Sequence, residues 1–411
     1  MYLDYCATTP IKEEVIDSML PYFKMYANPS SDYLMSHLIK KDINNVRQRI
    51  AEYIGAKHEN EIIFTNGGTM ANNLAIKGWY YEYFGDIQTS TIEHKSILNT
   101  CDFITKQGGI VEYIIPNSDG FLNPNDISIS GGLVSVQYVN NEIGTIQDIK
   151  AFSDKAHRLN NYFHTDATQS FSTIKNNVVK EGIDMLSMSG HKIGAPKGIG
   201  FLYKKRSIHL EPLIHGGKQE YGLIAGTENV PYIIGLGKAI ELLEKDIRNK
   251  HIQLNNIYHY FLDKLLSRKD IYLNGDNSSN RIKNNINIRI EGIDSTSLVH
   301  LLDLKDIQVS NGSACNSGTN SISHVLSAIG LKENNSIRIS YNENLTFEEI
   351  DKFIICLFNY IDLFGFGKKT GIDLNGEASG IIFDKDKIGD LELATTAFGQ
   401  GVSVTPIHLT V

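Results

Sequence analysis

SMSGHKIGAPKGIG (residues 187–200) sets one lysine, Lys192, directly after an apolar run and between a histidine and glycine-rich turns. The overlapping run DMLSMS (184–189) has the length and apolar content of a buried strand. A surface lysine needs no such setting. A partly desolvated amine near other cationic groups, by contrast, has a lowered pKa and can form a Schiff base. The stretch therefore predicts a reactive lysine at the end of a strand.

The composition is that of an ordinary globular protein with room for two domains. The chain has 411 residues, of which 41% are hydrophobic and 21% charged, and its formal net charge is −8. Basic residues do not form the stripe that a nucleic-acid surface requires. No apolar run approaches the roughly 18 residues of a membrane helix, and no secretory signal pattern opens the chain. We therefore expect a cytoplasmic protein that binds neither nucleic acid nor membrane.

Four cysteines, Cys6, Cys101, Cys315 and Cys356, are scattered through the chain without CxxC pairs. This spacing argues against a disulfide framework and against a structural zinc site, and we predict no metal. The ordinary interpretation of an isolated cysteine is a small buried apolar side chain. A chemical role for any of the four must therefore rest on its neighbours.

Short apolar runs alternate with helical patterns over roughly the first 250 residues, which is typical of a parallel sheet covered by helices. The predicted strands are EIIF (61–64), IVEYII (110–115), LVSVQYV (133–139), YFHTD (162–166), DMLSMS (184–189) and GIGFLYK (198–204). Two long helical patterns, at 228–247 and 253–266, then lead into a smaller α+β pattern with strands NNINIRI and SIRISY. The fold class is α/β, and ligands are expected at the carboxyl ends of the strands.

A glycine pair follows the first predicted strand in FTNGGTMANN (64–73). Gly67 and Gly68 would let the backbone approach a ligand, and Thr69 opens a helix whose N–H groups favour an anion. By itself the pattern is equally a tight turn with a helix cap. A phosphate cradle is one of two open interpretations.

An acidic residue, Asp166, ends the strand in FHTDATQS (163–170), with Gln169 three residues later. A carboxylate there could hold a cationic ring nitrogen in its protonated state, and alternatively it could cap the following turn. Ser189, His191 and Lys192 follow at the next strand end. A phosphate site, a ring-nitrogen carboxylate and a Schiff-base lysine are together the parts that a pyridoxal phosphate enzyme needs.

Ten motifs in order resemble the cysteine desulfurases of the NifS/IscS type, in the class V aminotransferase family. They are YLDYCATTP, NPSS, IEHKSIL, VNNEIGTIQDI, HTDATQS, SGHKIGAPKGIGFLY, HGGKQE, GTENVP, NGSACNSG and SIRIS. The resemblance covers residues 1–365 and implies the fold type I architecture of pyridoxal 5'-phosphate enzymes. It implies a large domain at 15–250 with a mainly parallel sheet, and a small α+β domain formed by 1–14 and 251–365.

The resemblance also implies a role for each matching residue. Lys192 would bind the cofactor as a Schiff base, Asp166 would pair with its ring nitrogen and Gln169 with its ring oxygen, and His94 would stack on the ring and relay protons. The remaining implied positions are Gly68, Thr69, Ser189 and His191 at the phosphate, Thr227 reaching in from the second subunit of a homodimer, Asn141 at cofactor and substrate, and Arg338 at the substrate carboxylate.

Cys315 lies in VSNGSACNSGTNSISHVL (309–326), a Gly-, Ser- and Asn-rich stretch that predicts a mobile loop. In the mechanism that the resemblance implies, the Cys315 thiolate takes sulfur from L-cysteine as a persulfide and leaves L-alanine. The sulfur would pass to an acceptor protein, either an iron–sulfur scaffold or a tRNA-thiolation protein. Cys315, Lys192 and His94 are the predicted catalytic residues.

Two features keep alternatives open. Met70 stands where the family usually has Glu, and Ile224 where it usually has Arg. A catalytically weak, desulfurase-like partner protein is therefore a second hypothesis.

Residues 366–411 resemble an internal segment of the transpeptidase domain of penicillin-binding proteins, without its nucleophile motif. We interpret this tail as a fragment without catalysis, and a transpeptidase-related fusion is the third hypothesis.

Overall fold

The computed structural model describes residues 1–311 and 322–363, and these residues form two units. The larger unit contains Cys6–His251 and Ser278–Ile282. The smaller unit contains Met1–Tyr5, Ile252–Asn277 and the described residues from Lys283 onward. Cys315 and the tail from residue 364 lie outside the described residues.

The helices of the described residues are mostly of ordinary length, apart from one long helix. They are α1 Glu13–Lys24, α2 Leu34–Ile54, α3 Gly68–Asn73, α4 Trp79–Tyr83, α5 Lys95–Lys106, α6 Ile149–Arg158, α7 Val230–Leu265, α8 Ser295–Asp303, α9 His324–Ala328 and α10 Phe347–Leu363. A π-helical segment, Leu74–Gly78, joins α3 to α4 without a break. The two helices predicted at 228–247 and 253–266 are a single helix, α7, because no Gly or Pro interrupts the chain between them.

The strands fall into two sheets. They are β1 Ile62–Thr65, β2 Ile87–Ser90, β3 Val111–Ile114, β4 Leu133–Ser135, β5 Tyr162–Asp166, β6 Met185–Ser189, β7 Gly200–Lys204, β8 Ile271–Leu273, β9 Asn285–Ile290 and β10 Ser336–Ser340. The larger sheet has the order β1-β7-β6-β5-β4-β2-β3 among the described residues. Only β7 runs antiparallel to its neighbours in this sheet, so the predicted mainly parallel α/β fold is confirmed.

This topology places the carboxyl ends of β1, β2, β4, β5 and β6 at one edge of the sheet. The strands are buried along nearly their whole length, as expected for a parallel sheet with helices on both faces. Sequence reasoning missed β2, because IQTS is short and half polar and so carries little apolar signal. The loops that follow these strand ends carry the residues of interest.

The smaller unit has an antiparallel sheet of order β10-β9-β8. Its core is built from the apolar faces of the sheet, of α8 and α10, and of the later turns of α7. Representative core residues are Phe261, Ile288, Leu302, Ile339 and Phe353. No helix among the described residues combines the length and apolar content that crossing a membrane requires.

Candidate active site

The loops at the carboxyl edge of the larger sheet bring most of the predicted site residues to the same side of the larger unit. The residues there are Gly68 and Thr69 after β1, His94 after β2, Asn141 after β4, Asp166 and Gln169 at the end of β5, and Ser189, His191 and Lys192 at the end of β6. The crevice outside such strand ends is the usual ligand site of an open α/β sheet.

Lys192 ends a short 3-10 turn, and its amine points at the N-terminal segment of the larger unit. Its Nζ donates to the carbonyl oxygens of Cys6 and Ala7, the latter at 2.7 Å. Gln169 Nε2 donates to the same Cys6 carbonyl at 3.0 Å. One backbone carbonyl therefore joins the predicted Schiff-base lysine to the predicted ring-oxygen ligand.

The N-terminal segment is itself fastened to the lysine loop. Thr9 Oγ1 donates to the His191 carbonyl at 2.7 Å and accepts from the Gly194 N–H at 2.9 Å. His191 Nδ1 lies 3.1 Å from Thr8 Oγ1. These bonds bring residues 8 and 9 of the motif YLDYCATTP to the lysine loop, although they lie some 185 residues away along the chain.

Asp166 is buried at the end of β5, and the hydrogen bonds to its carboxylate come from neutral groups. Its Oδ2 accepts from Asn72 Nδ2 at 2.7 Å, and its Oδ1 accepts from the Thr168 N–H at 2.9 Å. Neutral donors orient the carboxylate without cancelling its charge. The residue can therefore stabilise a cationic ring nitrogen.

The glycine pair after β1 packs tightly against the end of β6. A Cβ on Gly68 would lie 3.1 Å from Ser189 Cβ and 3.2 Å from Thr168 Oγ1, and Gly67 has a φ of 141°. Thr69 and Ser189 bring hydroxyl donors to the same place. The close approach and these donors fit a phosphate group, which is one of the two interpretations that the sequence left open for this loop.

His94 caps helix α5 with its ring. Its Nδ1 accepts from the Ser96 N–H at 3.1 Å and lies 2.8 Å from Ser96 Oγ. Loss of hydration lowers the pKa of His94, and the positive charges of Lys192 and Lys95 lower it further, while Asp166 opposes them. The neutral ring that accepts at Nδ1 carries its proton on Nε2.

A cavity of about 440 Å³ opens beside this histidine. Thr69, His94 and Ser96 line it together with two basic side chains, Lys77 and Lys95. The space adjoins both the glycine loop and the His94 ring. The cavity therefore leaves room for a ligand against the imidazole.

Burial alters two further titratable groups at this edge. Desolvation, helped by the charges of Lys192 and Lys197, lowers the pKa of His191 to about 4, so this histidine is neutral. Burial raises the pKa of Glu93 to about 8, against the hydrogen bonds from Ser90 Oγ at 2.6 Å and the Gln137 N–H at 3.0 Å. Glu93 is therefore mainly protonated at neutral pH.

The remaining predicted residues are placed less directly. Asn141 lies half-buried in a turn that its neighbour Asn140 builds, since Asn140 Oδ1 accepts from the Glu142 and Ile143 N–H groups. Thr227 is exposed in the larger unit. Arg338 is buried in the smaller unit, where its Nη2 lies 2.7 Å from Asp4 Oδ1.

Sequence reasoning missed Asn72 and Ser96, which link two predicted residues. Asn72 Nδ2 donates both to Asp166 Oδ2 and to Ser96 Oγ, and Ser96 contacts His94. A signal was present in the sequence, because Asn72 follows Gly68 by four residues and so lies on the same face of α3. Its partner Asp166 is 94 residues away, which no local pattern reveals.

The other thiols of the described residues lie in or near the cores. Cys101 is fully buried, and burial raises its pKa to about 12. Cys6 is also buried, and Cys356 is half-buried on α10. No group of three or more His, Cys, Asp or Glu side chains with metal-binding geometry occurs in residues 1–311 and 322–363.

Comparison with known proteins extends over most of the chain. The family model "Aminotransferase class-V" matches residues 1–353. The cysteine desulfurase IscS of Dictyoglomus turgidum is 42% identical over 363 residues, covering 85% of this chain and 92% of the relative. The chain therefore belongs to the class V aminotransferase family, among the cysteine desulfurases of the IscS/NifS type.

Solved structures agree with this assignment. A NifS-like protein from Rickettsia africae superposes with a TM-score of 0.80 at 32% identity, covering 88% of this chain and 99% of that one. A structure described as SspA in complex with cysteine gives a TM-score of 0.74 at 36% identity, covering 84% of this chain and 99% of that one. The predicted fold type I architecture is confirmed.

A second family model, "Penicillin binding protein transpeptidase domain", matches residues 350–410. Its first part overlaps α10, whose Phe353 and Leu357 are packed in the core of the smaller unit. Those residues therefore serve the aminotransferase fold. The rest of the match lies outside the described residues.

Proposed function

We propose that this chain is a pyridoxal 5'-phosphate-dependent cysteine desulfurase that converts L-cysteine to L-alanine and passes the sulfur on from an enzyme cysteine. One observation carries the proposal. In a chain of the IscS/NifS family, the amine of Lys192 and the carboxylate of Asp166 lie at the ends of adjacent strands, beside a loop that fits a phosphate.

The residues present fit the cofactor. Gly68, Thr69, Ser189 and His191 would hold its phosphate, Asp166 its ring nitrogen and Gln169 its ring oxygen. Lys192 would attach it covalently, and the His94 ring would cover one face. The bound cofactor supplies an electron sink for the substrate carbon. The close packing of Gly68 on Ser189 supports the phosphate assignment, because any larger residue would fill the cradle.

The protein's own groups would handle substrate and protons. Asn141 and Arg338 would bind the substrate carboxylate, and arginine suits this task since it is always charged and forms two parallel hydrogen bonds. Lys192 Nζ would accept the proton from the α-carbon. The neutral His94, with its proton on Nε2, would donate or accept protons above the ring.

Sulfur transfer would use Cys315, which lies outside the described residues. The Cys315 thiolate attacks the substrate sulfur, an S–S bond forms and the C–S bond breaks. The electron pair of the broken bond stays on carbon, which takes a proton and becomes the methyl group of alanine. No external oxidant is needed. An acceptor protein for iron–sulfur clusters or tRNA thiolation would collect the persulfide sulfur in the cytoplasm.

We also propose a homodimer in which Thr227 of the partner subunit completes the phosphate site. Large apolar side chains are exposed along one segment spanning the end of α1 and the start of α2, with Tyr26 at 89% and Leu34 at 75%. Monomers rarely expose such a concentration of apolar surface. The larger unit would be the cofactor-binding domain, and the smaller unit would carry the Cys315 loop.

The deciding experiment measures sulfide and alanine from L-cysteine with purified full-length protein and added pyridoxal phosphate. We expect both products from the wild type. We expect Cys315→Ser to bind cofactor with an unchanged spectrum but to release no sulfide, and borohydride to fix the cofactor on Lys192. Unchanged sulfide release by Cys315→Ser would exclude Cys315 as the acceptor.

A second candidate is a desulfurase-like partner protein with weak activity, favoured by Met70 and Ile224. Ile224 is half-buried, pairs with Ile214 and packs on an apolar cluster, so it cannot supply the charge of the usual arginine. Cofactor colour without sulfide, in the presence of candidate acceptor proteins, would favour this function. Covalent labelling by a fluorescent penicillin would instead favour a transpeptidase-related role.

A further inference from the structure

Asn72 lies in helix α3, only 1% exposed, between two residues with proposed roles. Its Nδ2 atom lies 2.7 Å from Asp166 Oδ2 and 2.8 Å from Ser96 Oγ. An amide nitrogen carries two protons in a fixed plane, and each of these contacts uses one of them. The reversed amide would set an oxygen against the Asp166 carboxylate, so chemistry fixes the orientation.

The direction of every hydrogen bond in this chain of contacts follows. The Ser96 N–H can only donate, so His94 Nδ1 must be the acceptor and is unprotonated. Ser96 Oγ accepts a proton from Asn72, and its own hydroxyl proton points to His94 Nδ1 at 2.8 Å. One proton of Asn72 thus binds the Asp166 carboxylate, and the other binds Ser96 Oγ, whose own proton binds the His94 imidazole.

The oxygen of the same side chain argues against a role in packing alone. Asn72 Oδ1 is buried and has no hydrogen-bond partner among the described residues. A buried acceptor without a partner destabilises the fold. An apolar residue of the same size would avoid this cost, so the donors of Asn72 are the feature that distinguishes it from such a residue.

We infer that Asn72 is a positioning residue that fixes the carboxylate of Asp166 and, by bonding Ser96 Oγ, turns the Ser96 hydroxyl toward His94 Nδ1. This inference rests on the proposed function, since Asp166 and His94 are the groups expected on the cofactor ring. Thr168 holds one carboxylate oxygen and Asn72 the other, so the plane of the carboxylate is set only when both donors are present. Through the Ser96 hydroxyl, the same side chain adds a second donor to His94 Nδ1, which the Ser96 N–H already keeps unprotonated.

The test uses the full-length chain with Asn72→Leu, which keeps the size of the side chain but has no donors. We expect the dissociation constant for pyridoxal phosphate, measured by absorbance titration, to rise about 10- to 100-fold, the usual effect of losing a hydrogen bond to a charged group. In the cofactor-free protein, ring ¹⁵N shifts should show His94 as the Nε2–H tautomer in both proteins, because the Ser96 N–H is retained, with the Nδ1 resonance of the variant shifted because the Ser96 hydroxyl is no longer held toward it.

Two further variants separate the links. Asn161→Leu removes a buried amide at the opposite end of the sheet, which bonds the Ile129 carbonyl and the Gly132 N–H, and it should leave both readouts unchanged. Ser96→Ala should alter the His94 shifts but keep the cofactor affinity, because the contact between Asn72 and Asp166 stays intact. Asn72→Ala, which also removes both donors, serves as the test if Asn72→Leu does not fold.

The inference is wrong if Asn72→Leu keeps the cofactor affinity within twofold, or if the His94 Nδ1 resonance keeps its wild-type position in Asn72→Leu or in Ser96→Ala. A merely structural role would lower the midpoint of thermal unfolding without moving either readout. The nitrogen-shift measurement needs neither cofactor nor cysteine. An absence of sulfide production by the wild type would therefore count against the proposed function and leave this test intact.

Discussion

Buried carboxyl groups at the two ends of the larger sheet have different kinds of hydrogen-bond partner. At the amino end, Asp184 comes directly before β6, and its carboxylate contacts Lys205 Nζ at 2.5 Å and His157 Nε2 at 2.7 Å. At the carboxyl end, Asp166 is held by the amide of Asn72 and the N–H of Thr168, which are both neutral.

The difference separates a structural carboxylate from one prepared for a ligand. Burial alone would raise the pKa of Asp184, but hydrogen bonds from His157 and Lys205 outweigh it and hold that pKa below its ordinary value. Its charge is therefore balanced within the fold. Asp166 is oriented but not neutralised by its donors, so a positively charged ring nitrogen can complete the site.

The largest expected effect comes from breaking the carboxyl end at Lys192. Lys192→Arg keeps the charge but cannot form a Schiff base, so we expect alanine and sulfide production to fall at least about a thousandfold. Lys205→Arg is the matched control at the amino end and should keep nearly full activity. Comparable losses in both variants would erase the functional distinction between the two ends.

A second ion pair, which contacts the amino end of β1, tests the structural side of the comparison. Arg47 Nη2 lies 2.8 Å from Glu220 Oε1, and both side chains are about 95% buried. Arg47→Met leaves a buried carboxylate without its cation and should lower the free energy of unfolding by about 3–5 kcal/mol in chemical denaturation. The double variant with Glu220→Gln should recover part of this loss. A loss below about 1 kcal/mol would show that the pair is not structural.

Glu93, at the carboxyl end, should give stability an unusual pH dependence. Its pKa is about 8 in the folded chain and 4.5 ordinarily, so the folded state binds more protons between these values. The free energy of unfolding should therefore fall as pH rises through this window, by about 1 kcal/mol per pH unit relative to Glu93→Gln. Parallel pH profiles for wild type and variant, measured without cofactor, would contradict this.

Asp184 should show the opposite pH dependence with a smaller amplitude, since the Lys205 and His157 side chains that contact it are partly exposed. Its pKa is lowered by folding, so its contribution is present above the ordinary value of 3.8 and is lost as pH falls through the folded pKa. We expect Asp184→Asn to unfold about 1 kcal/mol more easily at pH 7. The difference should shrink below about pH 4. A constant difference down to pH 3 would rule out this explanation.

Substitutions in the exposed apolar segment around Tyr26 and Leu34 test whether the phosphate site at the carboxyl end needs a residue from a second subunit. Leu34→Asp should shift the protein from dimer to monomer in sedimentation experiments, because a charge would be buried in the contact. If Thr227 of the partner subunit holds the phosphate, cofactor affinity should fall as well. The exposed residue Phe84 offers a control, and Phe84→Asp should leave the assembly unchanged. A monomeric wild type would reject the dimer.

Local patterns predicted the strand ends well because an apolar run followed by glycine or a polar residue is visible within ten residues. Asp166 and Lys192 were found in this way, and their strands β5 and β6 are neighbours in the sheet. The short strands β2 and β8 were missed, since three or four residues carry little periodicity. The long helix α7 was predicted as two separate helices. Residues that act across elements, such as Asn72, had no local signal strong enough to single them out.

The sequence by itself determined which chemical groups are available, namely a lysine, a carboxylate, a glycine pair and a histidine, each at the end of a strand or the start of a helix. Only the tertiary structure decided their surroundings. The Cys6 and Ala7 carbonyls meet the Lys192 amine, Asn72 joins Asp166 to Ser96, and burial leaves Glu93 protonated. The physical reason is that hydrogen-bond direction and desolvation depend on atoms brought together by packing, often from residues far apart along the chain.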